Sequence, residues 1–272
     1  MIEILLPVFN GEKYLREQID SILFQTNQNW ILKIRNDGST DNSQVIIDEY
    51  ITKFPKKIIE ISSPKLNCGL ISSLNYLLES ASEAEYIMFA DQDDVWLPDK
   101  IEQTLIAISE IEKKDPSIPV MICTDATCVD QNLNLMYKSF FESQKFLPNI
   151  VGDKYKMLAI NEVQGCTIMI NKYAYQKIFP LPTFMKIHDM WIGVICAHYG
   201  VAKYINYQTL YYRQHPNNTL GGRQISVKYF ISRLKNIEYL IKSRYKLFKI
   251  LPFRINYLSW ISRKIYYAFL RI

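Results

Sequence analysis

Short apolar segments alternate with helix-periodic segments along the first half of this chain. The apolar runs occupy residues 2–8, 30–34, 58–61, 86–90 and 120–124. Each of the first four is followed by a stretch whose apolar residues recur at helical spacing, and apolar runs without polar alternation are typical of strands buried in a parallel sheet. The alternation therefore predicts an α/β fold in which a mixed, mostly parallel sheet is flanked by helices.

Polar residues follow the predicted strands at what should be one edge of the sheet: Asn10, Asp37, Asn67 and Asp91. Open α/β sheets bind ligands beyond the carboxyl ends of their strands, so we expect a binding site there. This Rossmann-like pattern contains neither G-x-G-x-x-G nor G-x-x-x-x-G-K-[ST], the two glycine-rich phosphate loops. Their absence from the sequence argues against a dinucleotide-dependent enzyme and against a P-loop ATPase.

The strand at 86–90 runs directly into three carboxylates, Asp91, Asp93 and Asp94. Carboxylates this close repel one another unless a cation or a set of hydrogen-bond donors balances them, or a pKa rises. An Asp-x-Asp at a strand end is a natural site for Mg²⁺ or Mn²⁺, which prefer oxygen ligands and are often shared with substrate phosphates. The alternative is a solvated acidic loop in which one Asp caps a helix.

Charge is unevenly distributed, because residues 223–272 contain twelve Lys or Arg and a single acid, Glu238, while the whole chain carries +5. We predict a main domain at 1–222 and a C-terminal basic amphipathic helical extension, with helical spacing in 227–249 and 253–271. Basic amphipathic helices with aromatic residues suit an anionic membrane surface. Alternatively, the helices pack on the main domain, or on a second subunit in a homodimer. Nucleic acid is not an expected partner, since the acidic main domain would repel phosphate chains.

Compartment signals in the sequence indicate the cytoplasm. The five cysteines form no C-x-x-C pair and no Cys/His zinc spacing, as expected of free thiols in a reducing compartment. The chain opens without the basic leader of a signal peptide, and no uncharged stretch approaches the roughly 18 residues that a spanning helix needs. We expect a cytoplasmic protein, peripheral on the inner face of the plasma membrane if the basic extension binds lipid.

Four motifs lie in order at predicted strand ends and helix starts: Pro7-Val8-Phe9-Asn10-Gly11, Asn36-Asp37-Gly38-Ser39-Thr40-Asp41, Asp91-Gln92-Asp93-Asp94 and His188-Asp189-Met190-Trp191. Together they resemble family 2 of the inverting glycosyltransferases, which have the GT-A fold, over about residues 1–220. The last motif and the segment Tyr212-Arg213-Gln214-His215-Pro216-Asn217-Asn218 are similar to the branch that holds rhamnosyltransferases of bacterial rhamnan and O-antigen assembly.

The resemblance implies a metal-dependent, inverting glycosyltransferase that moves a sugar from a nucleoside diphosphate donor to a saccharide acceptor in bacterial cell-wall and surface polysaccharide synthesis. It favours dTDP-rhamnose as the donor, leaves UDP-galactose and UDP-glucose open, and implies a lipid-linked acceptor. It also divides the main domain into a nucleotide-sugar-binding half at 1–126 and an acceptor and catalytic-base half at 127–222.

The resemblance, together with the chemistry of the residue types, implies a role for each candidate. The residues expected to bind the donor are Pro7, Phe9, Asn10, Asp37, Asn67, Asp91, Gln92 and Arg213. Asp93 and His215 are the expected metal ligands, and Asp189 is the expected general base that takes a proton from the attacking acceptor hydroxyl. The residues expected on the acceptor side are Gln164, Gly165, His188 and Trp191.

Plainer structural roles are also open for several candidates. Asp37 fits an Asx-turn, Asp189 fits a helix N-cap, and Trp191 fits core packing on a helix. Arg213 can instead pair with a surface acid, and His215 can be a merely exposed loop histidine.

Three other classes of protein share part of the pattern. A haloacid dehalogenase-type phosphatase also has Asp-x-Asp after an apolar strand, with Asp91 as a phosphorylated nucleophile, although that motif usually ends the first strand. A sugar nucleotidyltransferase would need a glycine-rich loop after the first strand, where this chain has Phe9-Asn10-Gly11-Glu12-Lys13. A polysaccharide- or lipid-binding module would not need Asp91, Asp93 and Asp189 together.

Overall fold

The computed structural model of the chain describes residues 1–215 and 237–270, without the side chains of 237–243. Three sequence expectations therefore lie outside the described residues. They are the domain boundary at 222/223, residues 216–218 at the end of the segment 212–218, and the part of the tail helix predicted at 227–236.

A single sheet forms the centre of the described structure. Its strands are β1 (Ile2–Val8), β2 (Trp30–Asn36), β3 (Ile58–Glu60), β4 (Tyr86–Phe89), β5 (Val95–Trp96), β6 (Val120–Val129), β7 (Leu135–Tyr137), β8 (Ile168–Asn171) and β9 (Val201–Arg213). Strand β9 is the longest of these strands, and its pairing with β6 is interrupted by register shifts.

Helices cover both faces of the sheet. The main domain contains α1 (Leu15–Leu23), α2 (Ser43–Lys53), α3 (Leu70–Ser80), α4 (Lys100–Glu112), α5 (Phe140–Ser143), α6 (Lys154–Ala159), α7 (Lys172–Ile178) and α8 (Asp189–Tyr199). The extension contains α9 (Ile237–Ile250) and α10 (Tyr257–Leu270), which are separated near Pro252 as the sequence predicts. Helix α1 shows why these segments are helical, since Leu15, Ile19 and Ile22 lie on one face and are all buried.

The sheet order is β3-β2-β1-β4-β8-β6-β9-β5, with β7 paired to β6. Strands β3, β2, β1 and β4 are parallel, β8 is antiparallel to both β4 and β6, and β9 is parallel to β6. Because β8 runs opposite to both of its neighbours, β6 and β9 point in the same direction as β1 and β4. The carboxyl ends of these strands and the amino end of β8 therefore share one edge. The predicted α/β class, with a mixed, mostly parallel sheet flanked by helices, is confirmed.

Strand β4 shows how both faces of the sheet are buried. Ile87 and Phe89 pack in a core cluster on the side of α3 and α8. Met88 and Ala90 pack in a second cluster on the side of α1, α2 and α4. Burial on both faces leaves no position for a polar residue, which is why the run at 86–90 is apolar throughout.

Helices α9 and α10 pack on the main domain. Leu247 and Trp260 are buried in the core cluster on the side of α8. The Trp260 indole N–H donates to the Leu158 carbonyl (3.1 Å), and Lys264 Nζ donates to the Ala159 carbonyl (3.0 Å), at the end of α6. The described part of the extension therefore follows the packing alternative. Of the helices in residues 1–215 and 237–270, none combines the length and the apolar character needed to cross a bilayer.

Candidate active site

A single side-chain amide joins the loops that follow β1 and β4. Gln92 Oε1 accepts from the Phe9 N–H (2.8 Å), and Gln92 Nε2 donates to the Phe9 carbonyl (3.0 Å). Gly11 lies against the same amide, because a Cβ at that position would be 2.7 Å from Gln92 Oε1. The amide is thus committed to the backbone of Phe9, and the structure places Gln92 as a support for this loop. The Phe9 ring is 50% exposed at the sheet edge.

The loops after β1 and β2 are also tied together. Asn10, with φ 50°, donates its N–H to Ser39 Oγ (2.9 Å), and its side-chain oxygen accepts from the Thr40 N–H (2.8 Å). Asn adopts positive φ more readily than most residues, which suits it to this turn. Pro7 lies at the end of β1, in register with Arg35 of β2. Two of the four sequence motifs therefore form one continuous surface.

Asp37 is a buried anchor at the approach to α3. Its carboxylate accepts from the N–H groups of Cys68 (3.0 Å) and Gly69 (2.8 Å) and from Arg35 Nη1 (2.8 Å). Burial opposes ionisation, but these hydrogen bonds outweigh it and hold the pKa of Asp37 below its usual value. Asn67, with φ 52°, donates its N–H to the Asp37 carbonyl (2.8 Å). Asp37 therefore has a larger structural role than that of an Asx-turn residue, because it joins the loop after β2 to the segment before α3.

The end of β9 lies against the acidic loop that follows β4. His215 Nε2 is 2.9 Å from Asp93 Oδ2, so the two expected metal ligands are neighbours. Arg213 donates its N–H to Asp94 Oδ1 (3.2 Å) and its Nε to the Asp93 carbonyl (2.9 Å). A strand far along the chain thus fixes the conformation of the acidic loop.

The acidic loop holds more negative charge than its described surroundings balance. Burial, reinforced by the charges of Asp93 and Asp189, raises the pKa of Asp91 to about 7. Burial and the charges of Asp93 and Asp91 raise the pKa of Asp94 well above its usual value. Oδ2 of Asp94 is buried and has no hydrogen-bond partner in the described part of the chain. A divalent cation with oxygen ligands would relieve both conditions, so this loop fits a metal site.

Asp189 is the first residue of α8, and His188 occupies the N-cap position. Oδ1 of Asp189 accepts from the N–H of Met190 (2.6 Å). Burial raises the pKa of Asp189 to about 7, against the opposing effects of the Met190 N–H, the Asn161 side chain and Arg244. The charge of Asp189 in turn acts on Asp91, so the two carboxyl groups are close enough to interact. A carboxylate with a pKa near 7 has the right proton affinity for a general base at neutral pH.

Two neighbouring residues, Gln164 and His188, leave buried polar atoms unpaired in the described structure. The His188 ring lies over Gly165, where a Cβ would be 2.5 Å from Cε1, and 4.9 Å from the centre of the Phe89 ring. Both ring nitrogens of His188 and both amide atoms of Gln164 are buried without a hydrogen-bond partner among the residues described. Each such group costs about 1–3 kcal/mol when left unpaired, so a polar ligand or a water that paired with these atoms would stabilise the cluster.

A model of the family described as Glycosyl transferase family 2 matches residues 3–179, about two thirds of the chain. The chain belongs to glycosyltransferase family 2. It is 29% identical over 195 residues to an uncharacterized glycosyltransferase of Rickettsia typhi, covering 70% of this chain but only 57% of that protein. It is 28% identical over 244 residues to the dTDP-rhamnosyl transferase RfbG of Shigella flexneri, covering 84% of this chain and 78% of that protein. The chain thus spans little more than half the length of the Rickettsia relative.

Solved glycosyltransferases share the fold of this family 2 member. S. aureus TarS in complex with UDP superposes with a TM-score of 0.61 at 15% identity, over 99% of this chain and 90% of that one. The mannosyltransferase PcManGT from Pyrobaculum calidifontis superposes with a TM-score of 0.60 at 15% identity, over 99% of this chain and 69% of that one. At these identities the likeness shows the fold alone, which is the GT-A fold expected from the sequence.

Two residues expected in the site of the family 2 enzyme are enclosed by protein instead. Trp191 is 7% exposed and its indole N–H donates to the Ile178 carbonyl (2.8 Å), so it packs in the core and has no face free for an acceptor sugar. Arg213 is 1% exposed, donates to the Gln131 carbonyl (2.9 Å) and pairs with Glu17. Arg213 therefore supports the acidic loop through protein contacts, in line with the acid-pairing alternative, and does not lie open to a diphosphate.

Sequence reasoning missed three residues beside the acidic loop and the base. Cys166 Sγ lies within 4.8 Å of carboxylate oxygens of Asp91 and Asp94, and burial raises the pKa of its thiol well above its usual value. Lys100 is fully buried, with Nζ bonded to Thr209 Oγ1 (3.1 Å). The third is Arg244 of α9, near Asp189. A lone Cys, a Lys in a helix and an Arg in a basic tail carry no local signal that separates them from ordinary residues.

Family membership also bears on the competing enzyme classes. It sets aside the phosphatase and the nucleotidyltransferase, which belong to other families.

We predict that the free energy of unfolding of His188→Gln falls less than that of the wild type as the pH is lowered from 7 to 5. Burial lowers the pKa of His188 to about 4, whereas an unfolded histidine titrates near 6.5. The unfolded state therefore binds the proton first as the pH falls, and His188 should lower the free energy of unfolding by about 2 kcal/mol between pH 7 and pH 5. Urea unfolding of both proteins with a chelator present, at pH 7, 6 and 5, measures the difference.

The buried carboxyl groups have raised pKa values and act with the opposite sign, but they are present in both proteins and cancel in the comparison. His198→Gln, at a less buried ring, is the matched control and should change the pH dependence less. Identical pH dependence in wild type and His188→Gln would show that His188 is not held neutral by burial.

Proposed function

We propose that this chain is a metal-dependent, inverting glycosyltransferase that moves a sugar from a nucleoside diphosphate to a hydroxyl of a saccharide acceptor. The observation that carries the proposal is one arrangement of titratable side chains, in which Asp93 lies beside His215 and Asp91 interacts with Asp189. Proteins of similar fold support it, since TarS was solved with UDP-GlcNAc and PcManGT with GDP-Man and Mn²⁺.

The nucleotide fits the part of the edge formed by the loops after β1 and β2. The exposed Phe9 ring offers a face on which the base can stack. Asp37, whose pKa is lowered, is a charged acceptor for a base N–H. Pro7, Asn10 and Asn67 shape the backbone around it, and we assign Asp91 to the ribose or the sugar.

Asp93 and His215 are the residues that would hold the divalent cation, Mg²⁺ or Mn²⁺. A bound cation supplies charge that stabilises the departing diphosphate. The Tyr14 ring packs 5.0 Å from the His215 ring while Nε2 lies 2.9 Å from Asp93 Oδ2, so the imidazole is already oriented toward the second proposed ligand. Asp93 itself is held by the hydrogen bond from Arg213 to its carbonyl.

Asp189 takes the proton of the acceptor hydroxyl while that oxygen attacks the anomeric carbon from the side opposite the diphosphate. The bond between the anomeric carbon and the diphosphate oxygen breaks, and its electron pair leaves with the nucleoside diphosphate. The configuration at the anomeric carbon is thereby inverted. The unpaired polar atoms of Gln164 and His188, which lie beside Gly165, are suited to hold hydroxyl groups of the acceptor.

We propose dTDP-rhamnose as the donor, with UDP-galactose and UDP-glucose as alternatives. The support is the similarity to RfbG of Shigella flexneri, whose name states a dTDP-rhamnosyl transferase. A β-L-rhamnosyl nucleotide would give an α linkage after inversion. The product would then be an α-rhamnosyl unit of a cell-surface polysaccharide.

We further propose that the enzyme is cytoplasmic and rests peripherally on the inner face of the plasma membrane, where a lipid-linked acceptor would lie. Leu258, Tyr266 and Phe269 are 78%, 59% and 60% exposed and fall on one face of α10. Residues 239–272 contain eight Lys or Arg and no Asp or Glu. An apolar face in a segment with only basic charges suits an anionic bilayer surface, and a homodimer contact is the alternative.

Asp189→Asn should abolish transfer while donor binding persists. The amide is close in size to the carboxylate but cannot accept the hydroxyl proton, so kcat should fall about 10²- to 10⁴-fold. Product formation and calorimetric binding of the donor with Mn²⁺ measure the two effects. Asp48→Asn, at an exposed position on α2, is the control and should be unchanged. Turnover of Asp189→Asn near that of the wild type would remove Asp189 from the mechanism.

A thermal-shift screen of nucleotide sugars, each with EDTA, Mg²⁺ or Mn²⁺, tests the donor and the metal together. A ligand at 100 times its Kd stabilises the native state by about 2.7 kcal/mol, which a melting curve resolves. We expect the midpoint to rise most with one nucleotide sugar and a divalent cation. Asp93→Asn should lose the metal-dependent part of the rise. An equal metal-dependent rise in that variant would place the cation elsewhere.

Flotation with vesicles of phosphatidylglycerol and phosphatidylcholine tests the membrane surface. The triple variant Leu258→Ser, Tyr266→Ser, Phe269→Ser should leave the vesicle fraction, because it loses the apolar face. The control triple variant Phe24→Ser, Ile106→Ser, Leu135→Ser removes equally exposed side chains elsewhere and should float with the wild type. A wild-type protein that stays unbound to anionic vesicles contradicts the membrane proposal.

A further inference from the structure

The C-terminal extension reaches the candidate general base. Arg244 lies on α9, one turn before the buried Leu247, so its position is set by the packing of that helix. Its Nη1 donates to Sδ of Met190 at 3.1 Å. Met190 is buried and follows Asp189 directly in the first turn of α8. The guanidinium thus sits beside the start of the helix that carries the candidate base.

This is an unfavourable place for a cation unless a negative group is near. The N-terminus of a helix carries partial positive charge, which repels a guanidinium. Asp189 supplies the compensating negative charge, and Arg244 favours its charged form. The location of Arg244 is therefore accounted for by Asp189 and not by the dipole of α8.

A second support of Asp189 is also fixed by the extension. The side chain of Asn161, two residues after α6, favours the charged form of Asp189. The last two carbonyls of α6 accept from Trp260 and Lys264 of α10 at 3.1 Å and 3.0 Å. Arg244 of α9 thus interacts with the candidate base directly. Helix α10 interacts with it indirectly, by binding the end of α6, from which the chain continues to Asn161.

We propose that Arg244 is a positioning residue for Asp189 and that the docked C-terminal helices complete the acceptor side of the active site. This inference rests on the proposed function, since it assumes that Asp189 is the base. A buried carboxyl group favours its neutral form, which cannot accept a proton, and a fixed cation beside it offsets that preference. The family model ends at residue 179, so Arg244 lies outside the region that it matches.

The test compares Arg244→Gln, Arg244→Lys and the control Lys246→Gln in the full-length protein, with a soluble saccharide acceptor. Arg244→Gln should lower kcat about 10- to 100-fold with the donor KM and donor Kd unchanged, as expected when a group acting on the reacting centre is misplaced. Arg244→Lys should recover a large part of kcat because it restores the charge. Lys246→Gln, exposed on the same helix, should match the wild type.

The outcomes separate this inference from the function on which it rests. An inactive wild-type protein would overturn the proposed function itself. An active wild type with an equally active Arg244→Gln would overturn the role of Arg244 and leave the function standing. If Arg244→Gln fails to fold, Arg244→Lys and Arg244→Met, which keep the length of the stem, replace it. A folded Arg244→Met with wild-type kcat, or no advantage of Lys over Met, would contradict the proposal.

Discussion

Mutual repulsion among buried carboxyl groups is the constraint on which the rest of this structure depends. Asp94 and Asp189 are buried and Asp91 is partly buried. Burial raises the pKa of all three, and the charges of neighbouring carboxylates raise the pKa of Asp91 and Asp94 further. Such a cluster can be ionised in the folded protein only if positively charged groups or hydrogen-bond donors compensate its negative charge. The nearby cations belong to three distant parts of the chain, namely Lys100 on α4, Arg213 at the end of β9 and Arg244 on α9. The acidic edge therefore requires the whole chain to assemble around it.

Several motif residues support the architecture of the site as well as its chemistry. Asp37 holds the approach to α3, and Gln92 joins two loops. Arg213 fixes the acidic loop through hydrogen bonds to the Asp94 carboxylate and the Asp93 carbonyl. A residue type that suits a ligand, such as a carboxylate or a guanidinium, suits buried backbone groups equally well. Resemblance to a family identifies such positions, but only the contacts distinguish a residue that touches substrate from one that holds its neighbour.

The predictable part of the fold is the part governed by local pattern. Strands β1 to β4 and helices α1 to α4 follow from apolar runs and helical spacing, because each is buried against the sheet in sequence order. The two-residue β5, the exposed β7 and the short α7 carry no such pattern. The position of β8 between β4 and β6 depends on pairing between distant segments, which periodicity does not encode. Trp191 was ambiguous for a related reason, since α8 is buried on nearly every side and has no distinct polar face.

Gly165 lies so close to the imidazole of His188 that the side chains allowed at these two positions depend on each other. With a Cβ at 165 only 2.5 Å from the ring, neither position has room to enlarge on its own. A larger side chain at one of these positions therefore requires a smaller side chain at the other. Variants with added bulk in this corner should therefore begin from paired libraries at 165 and 188, because single enlarging substitutions will mostly report steric overlap.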